Sequence, residues 1–113
     1  MPRPRNFSTR YYSNKQEKAV AKAVGGKQVA NSGATALSKG DVRNDLFLLE
    51  CKTHTEFREQ FTIKHDWIEK NREEAFQMGK THSALVIDFG DQENHYLISE
   101  KDFKFLLEKL RED

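Results

Sequence analysis

Glu17, Asp41, Glu50 and Lys52 are the residues of this 113-residue chain whose types and spacing could do chemistry together. Glu50 and Lys52 interrupt the apolar run Leu46-Phe-Leu-Leu-Glu50-Cys-Lys52. A strand puts residues i and i+2 on one face, so both side chains point the same way. Just upstream, Lys39-Gly40-Asp41 forms a turn signal that can bring a second carboxylate beside them. Ionised groups are costly to bury without partners or a metal, so a bound ion is expected there. Mg2+ takes oxygen ligands and keeps several waters, so two or three carboxylates suffice, with Mn2+ the expected substitute. Such a site would activate water against a phosphodiester. Lys52 would orient the water or stabilise the developing negative charge. The backbone carbonyl of Cys51 offers one more oxygen, and Glu17 could complete the metal shell from an upstream helix. Two plainer readings stay open. Glu50 and Lys52 could be an edge-strand ion pair, and Glu17 a first-turn glutamate favoured by the helix dipole.

The elements that must position these residues follow from periodicity. Residues 1–13 read as a basic irregular arm and 14–113 as a single domain. Arg3, Arg5 and Arg10 mix with Tyr11 and Tyr12. Such a mixture contacts phosphates and stacks on bases, or packs across a dimer partner. Ser13 or Asn14 is the expected cap of a helix to about Val24, with Gln16 or Glu17 in the capping-box position. Its stripe is Val20, Ala21 and Val24, and Glu17 takes the preceding position of that stripe. Gly25-Gly26 ends it. A long loop follows to Gly40, with a short extended piece at Lys27–Ala30; loops of that length are often functional.

Asp41–Asp45 begins a strand and turns. Leu46–Lys52 is the central strand, with Leu46, Leu48, Glu50 and Lys52 on one face and Phe47, Leu49 and Cys51 on the other. The alternation Phe57, Glu59, Phe61, Ile63 predicts a further strand. Lys64 to about Met78 predicts a helix burying Trp67, Ile68, Ala75 and Phe76. His82–Phe89 is a buried strand and His95–Ile98 its antiparallel partner. Ser99 caps a last helix with Asp102 three residues on, its stripe being Phe103, Leu106, Leu107 and Leu110. The expected order is α-β-β-β-α-β-β-α, a mixed α/β fold around one sheet.

Charged residues make up 33% of the chain and hydrophobic ones 36%, which suits a soluble globular domain and not a disordered segment. Residues 1–43 hold nine lysines and arginines against two acids, whereas residues 44–113 hold ten against sixteen. A basic half that includes a Gly/Ser-rich stretch points to a polyanion partner; a solvated tail is the alternative. No apolar run is long enough for a membrane span, and no secretory signal is expected. The single cysteine, Cys51, permits no internal disulfide and no cysteine zinc cluster, so the cytoplasm is the expected compartment. His54, His65, His82 and His95 lack metal-site spacing and read as surface or loop residues. Trp67 reads as core and not as a stacking platform. Lys64, at the start of a helix near the site, touches phosphate or is solvated.

Lys39-Gly40-Asp41, Glu50-Cys-Lys52 and the upstream Glu17 together resemble the PD-(D/E)XK nuclease superfamily. Ser32-Gly33 with the Lys-Gly-Asp pattern is similar to its Holliday junction resolvase branch, found in archaea and phages. The likeness runs from about Glu17 to Phe89, and Gly40 stands where the superfamily name has proline. It implies a restriction-endonuclease-like mixed β-sheet flanked by helices. It also implies Asp41 and Glu50 as metal ligands, Lys52 as the catalytic lysine, Glu17 as the helix carboxylate and Ser32 as a loop serine near the site. The implied reaction is magnesium-dependent cleavage to 5′-phosphate and 3′-hydroxyl ends.

The expected activity is that of a structure-selective DNA endonuclease making paired nicks in a four-way junction. A homodimer is expected, because a twofold axis presents two equivalent sites. Arg3, Arg5, Arg10, Lys15, Lys27, Ser32, Lys39 and Lys64 are the expected DNA contacts. The alternatives are a nicking or end-processing nuclease on duplex or single strands, and a non-catalytic DNA-binding module. An RNA-binding role is disfavoured by the lack of an aromatic sheet motif. Compact size and the family likeness also fit a phage-encoded protein acting in a bacterial cytoplasm.

Overall fold

The computed structural model describes residues 8–29 and 41–112. Helix α1 (Thr9–Val24) is capped by Ser8, whose hydroxyl accepts from the Tyr11 N–H at 3.2 Å. The helix therefore begins earlier than the Ser13 or Asn14 cap expected from sequence, and Arg10, Tyr11 and Tyr12 are helical rather than part of an irregular arm. The reason lies in what is buried. Tyr12, Gln16 and Val20, spaced four apart, form the inward stripe, so the extra N-terminal turn covers apolar surface. Gln16 consequently sits mid-helix and cannot act in a capping box. Gly25, at φ 64°, closes the helix in the left-handed conformation.

Strands β1 (Lys27–Gln28), β2 (Asp41–Arg43) and β3 (Phe47–Thr53) follow, then α2 (His65–Gln77), β4 (His82–Asp88), β5 (Asn94–Leu97) and α3 (Glu100–Arg111). They build one five-stranded mixed sheet flanked by helices, in the order β1-β2-β3-β4-β5. The β3–β4 pair is parallel and the other pairs are antiparallel. Parallel pairing needs a crossover, and α2 supplies it. The β2–β3 turn is held by Asn44, whose side-chain oxygen accepts from the Leu46 and Phe47 N–H groups at 2.9 and 2.7 Å. Its amide nitrogen donates to the Val24 carbonyl at 3.1 Å, tying the turn to the end of α1.

The sheet separates two packed layers. Val42, Leu49, Cys51, Ala84 and Val86 meet Val20 of α1 on one face. Leu48 and Leu85 are buried on the other, where Asn71 of α2 donates to the Leu48 carbonyl at 3.5 Å. Among the described residues, no helix is long and apolar enough to cross a membrane.

Four expectations are corrected. Residues 57–63 form no strand. Both flanks of β3 are already occupied, by β2 and β4, and the segment instead anchors through the Arg58 N–H to the Phe89 carbonyl at 3.0 Å. In α2, Phe76 is 82% exposed, because the inward positions go to Asn71 and Ala75. In α3, Phe103, Leu106 and Leu110 are exposed and the buried residue is Asp102. Its carboxylate pairs with His82 Nδ1 at 2.6 Å. His82 is therefore an interior residue of β4, and not a surface or loop histidine. Its ring stacks on Phe47, and Phe105 of α3 tilts over it.

Candidate active site

The register of β2 on β3 places Asp41 directly opposite Glu50. Residues opposite in an antiparallel pair share a face, with Cβ atoms about 4.5–5.5 Å apart. Lys52, two residues on, joins them on that face, and its Nζ lies 3.2 Å from Glu50 Oε2. Glu50 is 2% exposed. Its Oε1 is buried and, among the described residues, accepts no hydrogen bond. A carboxylate so placed is half satisfied by an ammonium and half not, at a substantial desolvation cost. The Lys52 ammonium also lies 4.3 Å from the centroid of the Trp67 ring, where cation–π attraction helps fix it.

Cys51 turns its side chain into the core on the α1 face, so the residue's offering to the site is its backbone. Burial first, then the charges of Glu17, Asp41 and Glu50, push the Cys51 thiol well above its ordinary value. Burial and these charges all disfavour its thiolate, and all three carboxylates lie within electrostatic reach of it.

Glu17 is placed differently. Its Oε1 accepts from Gln28 Nε2 at 3.0 Å, and Gln28 pairs with Val42 in the β1–β2 register, on the α1 face of the sheet. Burial raises the Glu17 carboxyl above its ordinary value, and the Gln28 bond partly offsets that rise. The structure therefore gathers Asp41, Glu50 and Lys52 and holds Glu17 behind them. Among the described residues, no three His, Cys, Asp or Glu side chains converge as a metal-holding group. Two carboxylates, one with an unsatisfied buried oxygen, nevertheless suit hydrated Mg2+, which commonly takes one or two carboxylates and fills its shell with water.

Of the expected DNA contacts, Lys64 comes to the site, its ammonium 6.0 Å from the Trp67 ring centroid. Arg10, Lys15 and Lys27 are exposed on α1 and β1. Arg3, Arg5, Ser32 and Lys39 lie outside the described residues.

Two residues gain importance over their sequence reading. Gln16 is buried, and its Nε2 faces the Lys52 carbonyl at 3.0 Å, the Val86 carbonyl at 3.3 Å and Asn94 Oδ1 at 3.2 Å. Two amide protons are thus shared among three acceptors, pinning the backbone of Lys52 to α1 and β4. The signal was its spacing of four from both Tyr12 and Val20, visible once the helix starts at Ser8. Trp67 is half-buried and walls a cleft of about 690 Å³ together with Lys52, Thr53, His54, Phe57 and Arg58. It is not closed into the core.

The outer wall of that cleft rests on Gly90, at φ 104°. A Cβ there would lie 2.5 Å from the Glu56 carbonyl oxygen and 2.7 Å from Phe57 Cα, so only glycine lets the two segments meet. Compared with known proteins, the chain matches no family model, no curated protein and no solved structure.

Proposed function

We propose that the protein is a magnesium-dependent, structure-selective DNA endonuclease of the Holliday junction resolvase kind. The observation that carries this reading is the Asp41–Glu50 cross-strand pair, with Lys52 on Glu50 and a buried Glu50 oxygen left without a hydrogen bond. The arrangement of α1, three antiparallel strands, α2 and a strand parallel to the third is compatible with a restriction-endonuclease-like fold. The motif likeness of Asp41, Glu50-Cys-Lys52 and Glu17 supports the same reading.

Asp41 and Glu50 would hold the cation, with the Cys51 carbonyl as a further oxygen. When bound, Mg2+ would supply an acidified water and neutralise charge on the phosphate. Lys52, fixed between Glu50 and Trp67, would place its ammonium where negative charge develops. Gln16 would keep the Lys52 backbone from shifting. Glu17 would act from behind the pair, through its charge, held there by Gln28. Two copies related by a twofold axis would make the two symmetric nicks.

Cleavage with Mg2+ of a four-way junction, linear duplex and single strand at equal concentration tests the reading, with Asp41→Asn as control. Paired nicking of the junction, lost in the variant, is the expected result. Equal cutting of all three substrates would leave a general nicking or end-processing nuclease, and metal-independent binding without cutting would leave a binding module.

A further inference from the structure

We infer that the cleft beside Lys52 is a seat for an unpaired nucleobase, so that the strand cut at Glu50 and Lys52 is gripped by a base splayed out next to its scissile phosphate. The inference rests on the nuclease reading for what it says of cutting, and on the cleft alone for what it says of binding.

The cleft has the dimensions and chemistry that a nucleotide needs. Its volume of about 690 Å³ falls among small-molecule sites. One end is the Lys52 ammonium, the cation proposed to face phosphate. The floor includes Phe57, 50% exposed despite its apolar ring. An exposed ring in a charged cleft is a stacking surface that accepts any base. Trp67 closes the Lys52 end, and Lys64 reaches over the same indole. Around the rings stand Arg58, Glu59, Gln60 and Thr62, a mixture of donors and acceptors suited to a base edge.

The walls are fixed before any ligand arrives. The Arg58 N–H donates to the Phe89 carbonyl at 3.0 Å, and the His54 N–H to the Asp88 carbonyl at 3.0 Å. The His54 ring contacts the Gln60 carbonyl at 3.0 Å and lies 4.3 Å from Phe61, which in turn meets Phe89 edge-on. Residues 54–62 are thus held to the end of β4 by backbone and ring contacts, leaving Phe57 outward. A paired base in a duplex could not reach Phe57 without leaving its stack, so the seat selects unpaired or extruded bases over paired ones.

Trp67 is the chain's only tryptophan, so its fluorescence reports on this cleft directly. In metal-free buffer, an eight-nucleotide thymidine strand, an abasic strand of equal length, an eight-base-pair duplex and thymidine monophosphate are titrated in turn. The thymidine strand should quench Trp67 and bind about tenfold more tightly than the abasic strand, which has the same charge. The duplex and the mononucleotide should bind more weakly than the thymidine strand. Phe57→Ala should remove most of the tenfold difference, Phe57→Tyr should keep it, and thermal melting of both variants checks the fold. Equal affinity for base-bearing and abasic strands overturns the seat, as does an unchanged difference in Phe57→Ala. Equal affinity for the mononucleotide and the strand also overturns it. Base-dependent binding in a protein that cuts nothing would remove the nuclease reading and leave the seat; junction cutting without base-dependent binding would do the reverse.

Discussion

Lys52 touches a carboxylate on one side and an indole on the other, so its removal leaves Glu50 buried with neither oxygen satisfied by an ammonium. Lys52→Ala is expected to lower the cleavage rate by about 10²–10³-fold, while junction binding measured by anisotropy in metal-free buffer changes little. Wild-type rates in the variant would exclude Lys52 from the chemistry. Glu17 separates two roles at this same scale. Its folded carboxyl titrates above the ordinary 4.5 because it is buried, so the folded state holds a proton that the unfolded state has lost. Stability associated with Glu17 is then present below 4.5 and lost as pH rises through the raised value. Urea denaturation across that window should show the wild type losing stability relative to Glu17→Gln, which keeps an acceptor for Gln28 and carries no charge. A cleavage rate unchanged in Glu17→Gln would confine the residue to that structural role. The shared face of Glu50 and Lys52 was legible from their spacing alone. The position of Glu17 was not, because it depends on Gln28, a partner eleven residues away across a turn.

At the level of elements, α3 shows how a clear pattern can mislead. Its apolar residues follow a helical period, yet Phe103, Leu106 and Leu110 are exposed. The helix is oriented instead by Asp102 on His82, a pair 2.6 Å apart with both members buried. A charged residue in a capping-box position gives no sequence sign that it will be buried against a histidine twenty residues upstream. Removing Asp102 leaves a buried His82 ring nitrogen without its hydrogen-bond partner, so Asp102→Ala should cost about 1–3 kcal/mol. Leu110→Ala, at 76% exposure, should change stability by less than about 0.5 kcal/mol. Urea denaturation of the two variants checks both, and the reverse ranking would mean that α3 packs through its apolar stripe. The segment 57–63 misled for a related reason. Its alternation of Phe57, Glu59, Phe61 and Ile63 fits a strand, but a strand also needs a free neighbour, and sheet order is not a local property. The strands around Leu49 and Val86 were legible because continuous apolar runs of that length are buried on both faces in parallel pairs.

Across the whole molecule, the sheet order decides which residues meet. The mixed α/β class could be read from the succession of periods, whereas the pairing of Asp41 with Glu50 depends on the tight Asn44 turn that sets the β2–β3 register. The basic N-terminal half gives the molecule an uneven charge, and DNA held through it should be sensitive to salt. If six to ten phosphates are neutralised, affinity for a junction should fall by about 10³–10⁵-fold between 50 and 200 mM salt; a flat response would mean that the Lys/Arg excess lies away from the bound strand.

Gly90 gives that architecture an adjustable dimension. The gap between the turn after β4 and the backbone of Glu56 and Phe57 is set by a missing carbon atom. A methyl group at position 90 would press on Glu56 and Phe57 from behind, moving one side of the Lys52 cleft while leaving every side chain that lines it chemically intact. Because φ there is 104°, the same methyl would also strain the turn, so position 90 couples the conformation of that turn to the opening of the cleft, as a shim sets the opening of a vice.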